Sequence, residues 1–323
     1  MAQATIPLRF RFRSESMIPL LTIMARAGLW EREGLDVRDL TYSDDPLGTE
    51  ELLLGGAIDF VFGNHVSPYL RLAQGHPMVC LAQTENWEDI WIATVPELRR
   101  LPQLEGQRVL ATPLFINNDE FAGHANGTRL LLLELNGVDT REVEFVEPSG
   151  MPDEIAAVRD RQAAACFLPP QRAERAAAAG LRLHELPRLP MVHSITYTTL
   201  LPTIVKQPEL PERVIRALAS AIHFFKTRRE ETLALLQQPV APMSAARQER
   251  IATRYDEYAA RFEQRLYPLP AAITNVHRLA CMAYPGSETV NPMELWDMHP
   301  LRLVHASGFI DNLYKSDPAG AAG

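Results

Sequence analysis

A chemical reading of this chain starts at His65. It stands directly behind a short apolar run, Ala57 to Phe62, beside Asn64 and ahead of Ser67. An imidazole ordinarily titrates near neutrality, which makes His65 a candidate proton donor to a carbon or oxygen. The Asn64 amide is suited to hold a developing oxyanion. The bland alternative is that Asn64 and Ser67 cap a helix while His65 packs against the loop. A second group comes earlier. Arg9, Arg11 and Arg13 alternate with apolar residues and lead into Ser14, Glu15 and Ser16. Arg13 can grip a carboxylate or sulfonate as a bidentate pair, with Ser14 and Ser16 in the same loop. It can equally be the last residue on the solvated face of a strand. Glu15 is a candidate acid or base if burial lifts its pKa toward neutrality, or else an acidic residue in the first turn of a helix.

Further candidates are spread along the chain. Glu85, Asn86 and Trp87 combine polar groups with an aromatic wall for a flat ligand, although tryptophans there also suit a packed hinge segment. Thr112, Asn117 and Asn118 follow an apolar strand. His124 and Asn126 then open a helix whose free backbone N–H groups offer an anion site, with ordinary capping by Asn126 as the alternative. Tyr197 lies near a return crossover and is the last ligand-binding candidate. His184, His193, His223, His277, His299 and His305 are scattered, with no pair at metal-ligand spacing. Cys80, Cys166 and Cys281 form no CxxC pair and read as small buried hydrophobes. There is no GxGxxG, P-loop or GxSxG segment. No metal or cofactor is therefore expected.

The elements that must position these residues follow from periodicity. Leu8 to Arg13 has the period of a strand, Met17 to Glu33 that of a helix stopped at Gly34, and Leu35 to Thr41 that of a second strand. Thr49 to Leu54 is a helix, Ala57 to Phe62 a buried strand, Val66 to Ala73 a helix and Met78 to Gln83 a strand. The rhythm resumes after residue 94, with strands at 108–111, 142–146, 163–167, 181–185 and 194–199 and helices at 127–136 and 153–159. From Pro211 the chain turns helical, over 212–237 and 244–265 and onward in shorter pieces. Strands alternating with helices predict an α/β fold, each lobe a mainly parallel sheet flanked by helices. Ligands then meet the loops at the carboxyl ends of the strands.

Bulk properties narrow the function classes. The chain has 323 residues, enough for two lobes, and a net charge of -8. That balance argues against nucleic acid, which needs a basic face, and no apolar run is long enough to span a bilayer. Met1 to Pro7 is too short and polar for a secretory leader, and the arginines that follow interrupt any apolar stretch. A cytoplasmic location is expected, or a periplasmic one if a signal has been removed.

Three segments carry a resemblance. "ARAGLWEREGLDV" (Ala25 to Val37), "LLLGGAIDFVFGN" (Leu52 to Asn64) and "LEGQRVLATP" (Leu104 to Pro113) resemble, in order and spacing, the sulfonate-binding and thiamine-pyrimidine-synthase-like solute-binding proteins. The tail "NPMELWDMHPLRLVHASGFIDNLY" (Asn291 to Tyr314) is similar to many of their C-termini. The resemblance implies a two-lobed type II periplasmic-binding-protein fold that closes on its ligand about a hinge. It would divide the chain into 1–94 plus 197–323, with the helical tail, and 95–196. That family also contains enzymes. The cysteine-rich motif of its synthase is absent here, and so is the loop cysteine of its desulfinase, which Ser14 to Met17 replace.

The expected function is capture of one small organic ligand, aromatic or acidic, in a cleft between lobes, leaning to a cytosolic lyase of the decarboxylase type. Arg13 would orient the acid group and His65 or Glu15 would protonate the carbon left behind. The alternatives are the receptor of an ABC importer, partnered by a permease only if exported, and a cytosolic ligand sensor. A homodimer is compatible with each.

Overall fold

A computed structural model of the chain describes residues 5–111, 115–116, 120–121, 123–148 and 153–315, with backbone alone at 115–116, 120–121 and 194. By internal contacts the chain forms two units. The first comprises Met1–Asn86, Met191–Val276 and Thr289–Gly323, the second Trp87–Pro190 and His277–Glu288. The crossings fall at 86 and 190, where the sequence reading placed 94 and 196.

The first unit is built on β1 (Ile6–Phe12), β2 (Leu35–Tyr42), β3 (Phe60–Phe62) and the long strand β4 (Met78–Glu88). The second begins with β5 (Trp91–Thr94), then β6 (Arg108–Leu110), a small hairpin of β7 (Phe115–Ile116) and β8 (Glu120–Phe121), β9 (Glu144–Val146), β10 (Ala165–Leu168) and β11 (Arg182–His184). β12 (Leu189–Leu200) returns to the first sheet. The two main sheets run β2-β1-β3-β12-β4 and β11-β5-β10-β6-β9. β1 is parallel to β2 and β3, and β6 is parallel to β9 and β10. β12 runs antiparallel to β3, and β5 antiparallel to β10 and β11. The antiparallel members are those the periodicity did not resolve: β5 was not foreseen, and β12 begins earlier than Ser194.

β1 shows why the arginine row is tolerated inside a sheet. Leu8, Phe10 and Phe12 are buried on one face, and Arg9 and Arg11 occupy the other. Arg9 pairs with Asp59 at 2.7 Å and Arg11 with Asp39 at 3.0 Å. The buried face continues across the sheet as a stack of rings. Phe10 lies on Phe62 and Phe62 on Tyr197, each with centroids 4.2 Å apart. Cross-strand aromatic pairs of this kind fix register, since a one-residue slip would turn every ring outward.

Helices cover this core. α1 (Ile18–Arg26) and α2 (Leu29–Arg32) replace the single helix expected over Met17 to Glu33. The break is at Gly28, whose φ of 67° is left-handed and easy only for a residue without Cβ. α3 (Pro46–Leu54) and α4 (Pro68–Ala73) flank β3 in sequence. The second unit contributes α5 (His124–Leu135), α6 (Glu154–Arg159) and α7 (Ala173–Ala178), followed in the first unit by α8 (Leu201–Lys206) and α9 (Glu209–Thr227). α9 buries Leu210, Val214, Leu218, Ala221, Ile222 and Phe225, an apolar stripe at helical spacing, and packs on α1 and α2. The helix expected to run to Gln237 breaks at Arg228, and the one over 244–265 becomes Ala245–Thr253 and Tyr255–Arg261. The core of the second unit is made of smaller residues, among them Ala93, Leu110, Val158, Ala164, Cys166 and Ala176.

Candidate ligand-binding site

Because β1, β2 and β3 are parallel, their carboxyl ends share one edge of the first sheet. Backbone bonds knit the loops there. Arg13 donates its N–H to the Phe62 carbonyl at 2.9 Å, Gly63 to that of Thr196 at 2.8 Å, and Ser43 to that of Phe12 at 3.0 Å. Gly63 has φ of 86° and makes the turn that sends Asn64 and His65 off the end of β3. Arg13, Asn64, His65, Gln83 and Thr196 are thereby gathered at one edge.

Beneath them lies a charged cluster that sequence reasoning missed. Glu50 of α3 is fully buried. Its carboxylate accepts from the Asn64 amide at 2.7 Å, the Ser67 hydroxyl at 2.6 Å and Nε of Arg71 at 2.8 Å. Burial pushes the Glu50 carboxyl above its ordinary range, against the pull of those donors and the Arg71 charge. Arg71 also pairs with Glu51 at 2.7 Å. The carbonyl of Asn64 accepts from the Thr198 hydroxyl at 2.6 Å. Asn64 and Ser67 therefore do not cap α4. Ser67 sits at the cap position without a capping bond, and its hydroxyl goes to the carboxylate instead. Asn64 is thus held in place by Glu50, Ser67 and Thr198.

His65 is buried, with Nδ1 3.2 Å from the Thr196 hydroxyl. Thr196 in turn meets Oε1 of Gln83 at 2.5 Å. Burial, then His193 and the Arg13 guanidinium, hold the imidazole down at a pKa of about 3. At neutral pH it lacks the proton that the sequence reading asked it to deliver. That reading used the unperturbed value, and burial removes the premise. Arg13 is half-buried. One of its terminal nitrogens donates to the Ser43 carbonyl at 2.6 Å, and its Nε is buried with no hydrogen-bond partner among the described residues. Burial draws its pKa down, and Tyr42, Asp45, Glu50 and Asp44 oppose this. A guanidinium stays charged through such shifts. The site thus has a half-buried cation beside a neutral imidazole.

The remaining candidates fall elsewhere. Glu15 is not buried. Its side chain is 55% exposed, ion-paired with Arg247 at 3.1 Å, in the first turn of a short helix. Ser14 and Ser16 bond one another at 2.8 Å, and Ser14 accepts from the Ser16 N–H as a cap. Asn86 is structural: its amide donates to the Tyr267 carbonyl at 2.8 Å and accepts from the Leu269 N–H at 3.0 Å. Glu85 pairs with Arg261 at 3.1 Å. Tyr197 is wholly buried in the ring stack, its hydroxyl 3.8 Å from the Met24 sulfur, so it belongs to the core. In the second unit, Trp87 lies under the Arg188 guanidinium at 5.3 Å. Asn126 is not an N-cap, since α5 begins at His124 behind Gly123. Its carbonyl oxygen accepts from Arg129 at 3.4 Å. Thr112, Asn117 and Asn118 lie outside the described residues. Among the thiols, Cys80 and Cys166 are buried and pushed up to about 12 by burial, while Cys281 is half-buried. Among the described residues no helix is long and apolar enough to cross a membrane, and no His, Cys, Asp and Glu cluster is spaced to hold a metal.

Comparison with known proteins bears on what such a site serves. The sequence profile of the family described as "NMT1/THI5 like" matches residues 20–232. The chain belongs to that family. A search of curated proteins finds no match. Among solved structures, those similar to this NMT1/THI5-like chain include the periplasmic aliphatic sulphonate binding protein SsuA from Escherichia coli. It is 16% identical with a TM-score of 0.60, over 90% of this chain and 90% of that one. A putative sulfonate ABC transporter, periplasmic sulfonate-binding protein SsuA from Methylobacillus flagellatus, is 13% identical with a TM-score of 0.63, over 99% and 97%. The periplasmic nitrate-binding protein NrtA from Synechocystis is 13% identical with a TM-score of 0.55, over 94% and 90%. The resemblance read from the sequence is borne out, and the NMT1/THI5-like chain has the two-lobed type II binding-protein fold.

Proposed function

We propose that this chain is a solute-binding protein that captures a small anionic molecule at the carboxyl edge of its first sheet and releases it unchanged. The observation that carries this reading is the state of the edge residues. Asn64, His65, Gln83 and Thr196 are buried and hydrogen-bonded, and the imidazole is held far from neutrality beside a half-buried guanidinium. Acid–base catalysis needs a group whose pKa lies near the working pH. His65 does not supply one, which speaks against the lyase reading. A preorganised set of dipoles around a cation is what anion capture needs.

The likeness to sulphonate- and nitrate-binding proteins supports the same reading. It favours a periplasmic location over the cytoplasmic one, and an ABC permease as partner. Arg13 would take the anionic group through charge-assisted bonds.

The test is to heat the purified protein with alkyl sulfonates, aromatic carboxylates and nitrate, and to recover each compound for mass spectrometry. Binding to the folded state raises the midpoint, by about 2.7 kcal/mol of stability at roughly a hundredfold excess over Kd. A raised midpoint with the compound intact supports capture. Release of carbon dioxide or sulfite would overturn it in favour of a lyase.

A further inference from the structure

Arg13 differs from Arg9, Arg11 and Arg71. Each of those three holds a carboxylate in ion-pair contact. Arg13 instead gives a terminal N–H to the Ser43 carbonyl at 2.6 Å, and no carboxylate is in ion-pair contact with it among the described residues. Two carboxylates follow that carbonyl directly in the chain, at Asp44 and Asp45. The loop that carries them is tied down. Asp45 caps α3, accepting from the Gly48 N–H at 2.9 Å. The Thr49 hydroxyl lies 2.6 Å from the Asp45 carbonyl and 2.9 Å from the Ser43 hydroxyl. Both acids are exposed, and the Arg13 guanidinium feels both, along with Tyr42 and the buried Glu50. Glu50 is balanced by Arg71. Asp44 and Asp45 have no cation in ion-pair contact among the described residues.

We infer that the Ser43–Asp45 loop restricts the Arg13 site to acid groups of a single negative charge. Resting on the capture reading above, the consequence is a narrower ligand class. One guanidinium cancels one negative charge. A second charge on the same acid group has no cation left to meet and faces Asp44 and Asp45 instead. Water weakens that repulsion without abolishing it at so short a range. Sulfonates, carboxylates and nitrate carry one charge, whereas sulfate and fully ionised phosphate esters carry two. Asp44 and Asp45 thus act as specificity-determining residues that turn the dianions away.

Butyl sulfate and butyl phosphate, alike in shape, separate charge from size. The sulfate ester keeps one charge throughout, and the phosphate ester gains its second near roughly pH 6. The test is calorimetric titration of the full chain with each ester, at roughly pH 5 and roughly pH 8. At the lower pH the two esters are expected to bind alike. At the higher pH the phosphate is expected to bind about tenfold more weakly, or worse. The sulfate is the control for any titration of the protein itself, that of His193 near His65 included. The double variant Asp44→Asn, Asp45→Asn keeps a side chain able to cap α3. In it the gap between the esters at the higher pH is expected to shrink to about threefold or less. A phosphate that binds as tightly as the sulfate at the higher pH would overturn the inference and leave the capture reading standing. So would an unchanged gap in the folded double variant. Binding of neither ester at either pH would remove the capture reading, and the charge selectivity with it.

Discussion

The two units of this chain treat buried polarity differently. Among the described residues of the second unit, buried polar side chains are small hydroxyls alone, at Thr94, Thr128 and Ser287. Its charged groups pair near the surface, as Arg161 does with Glu97 and Arg159 with Asp160. The first unit buries carboxylates at Glu50 and Glu85, amides at Asn64, Gln83, Asn86 and Asn275, and the imidazoles of His65 and His223. Leaving such groups without partners costs about 1–3 kcal/mol each, and more for charges. A sheet that had only to fold could be built as the second unit is, from alanine, valine and leucine. The polar lattice of the first sheet is not what stability alone requires, and it is what the proposed ligand capture would need.

The comparison can be broken most forcefully at Glu50. Arg71→Met leaves a fully buried carboxylate without its charged partner, and urea unfolding should show a loss of about 3–5 kcal/mol. Adding Glu50→Met should recover part of it, because the stranded charge goes too. A smaller loss, about 1–3 kcal/mol, is expected for Asn86→Ala, which orphans the Tyr267 carbonyl and the Leu269 N–H. For His65 the expected change is in slope. Its folded pKa is depressed to about 3, from an unfolded value near 6.5, so the unfolded state gains a proton first as pH falls. Stability is fully present above roughly pH 6.5 and is drained as pH falls toward 3. His65→Gln should flatten that part of the pH profile of Tm. Smallest of all, Arg161→Gln in the second unit should leave the urea midpoint where it is, since its partner Glu97 is as exposed as itself.

The fold was legible because it is written in periodicity. The alternation of β1, the apolar run of β3 and the stripe of α9 each report a local period. Gly28 shows where that legibility ends: one left-handed residue divides a helix whose pattern runs straight through it. The site was legible in part. His65, Asn64 and Arg13 were singled out as candidates because strand ends are predictable, but their states were not. Whether an imidazole is charged depends on burial, and its partner Thr196 is 131 residues away. Gln83 did carry a signal, as a polar residue closing the apolar run Met78–Ala82 of a strand buried on both faces. Glu50 carried none. It sits in an ordinary helical stretch, and Arg71 is 21 residues distant. Tyr197 misled for a related reason, since position along a strand does not say which face it takes.

The most direct test of the central claim is calorimetric titration of the wild type and Arg13→Gln with an alkyl sulfonate or carboxylate that raises the thermal midpoint. Capture at the edge of the first sheet predicts one-to-one binding in the wild type and flat affinity over roughly pH 5 to 8, since His65 does not titrate there. It also predicts affinity weaker by about 10- to 100-fold in Arg13→Gln, the worth of a charge-assisted bond. Equal affinity in the two proteins would contradict the account and place the ligand elsewhere in the molecule.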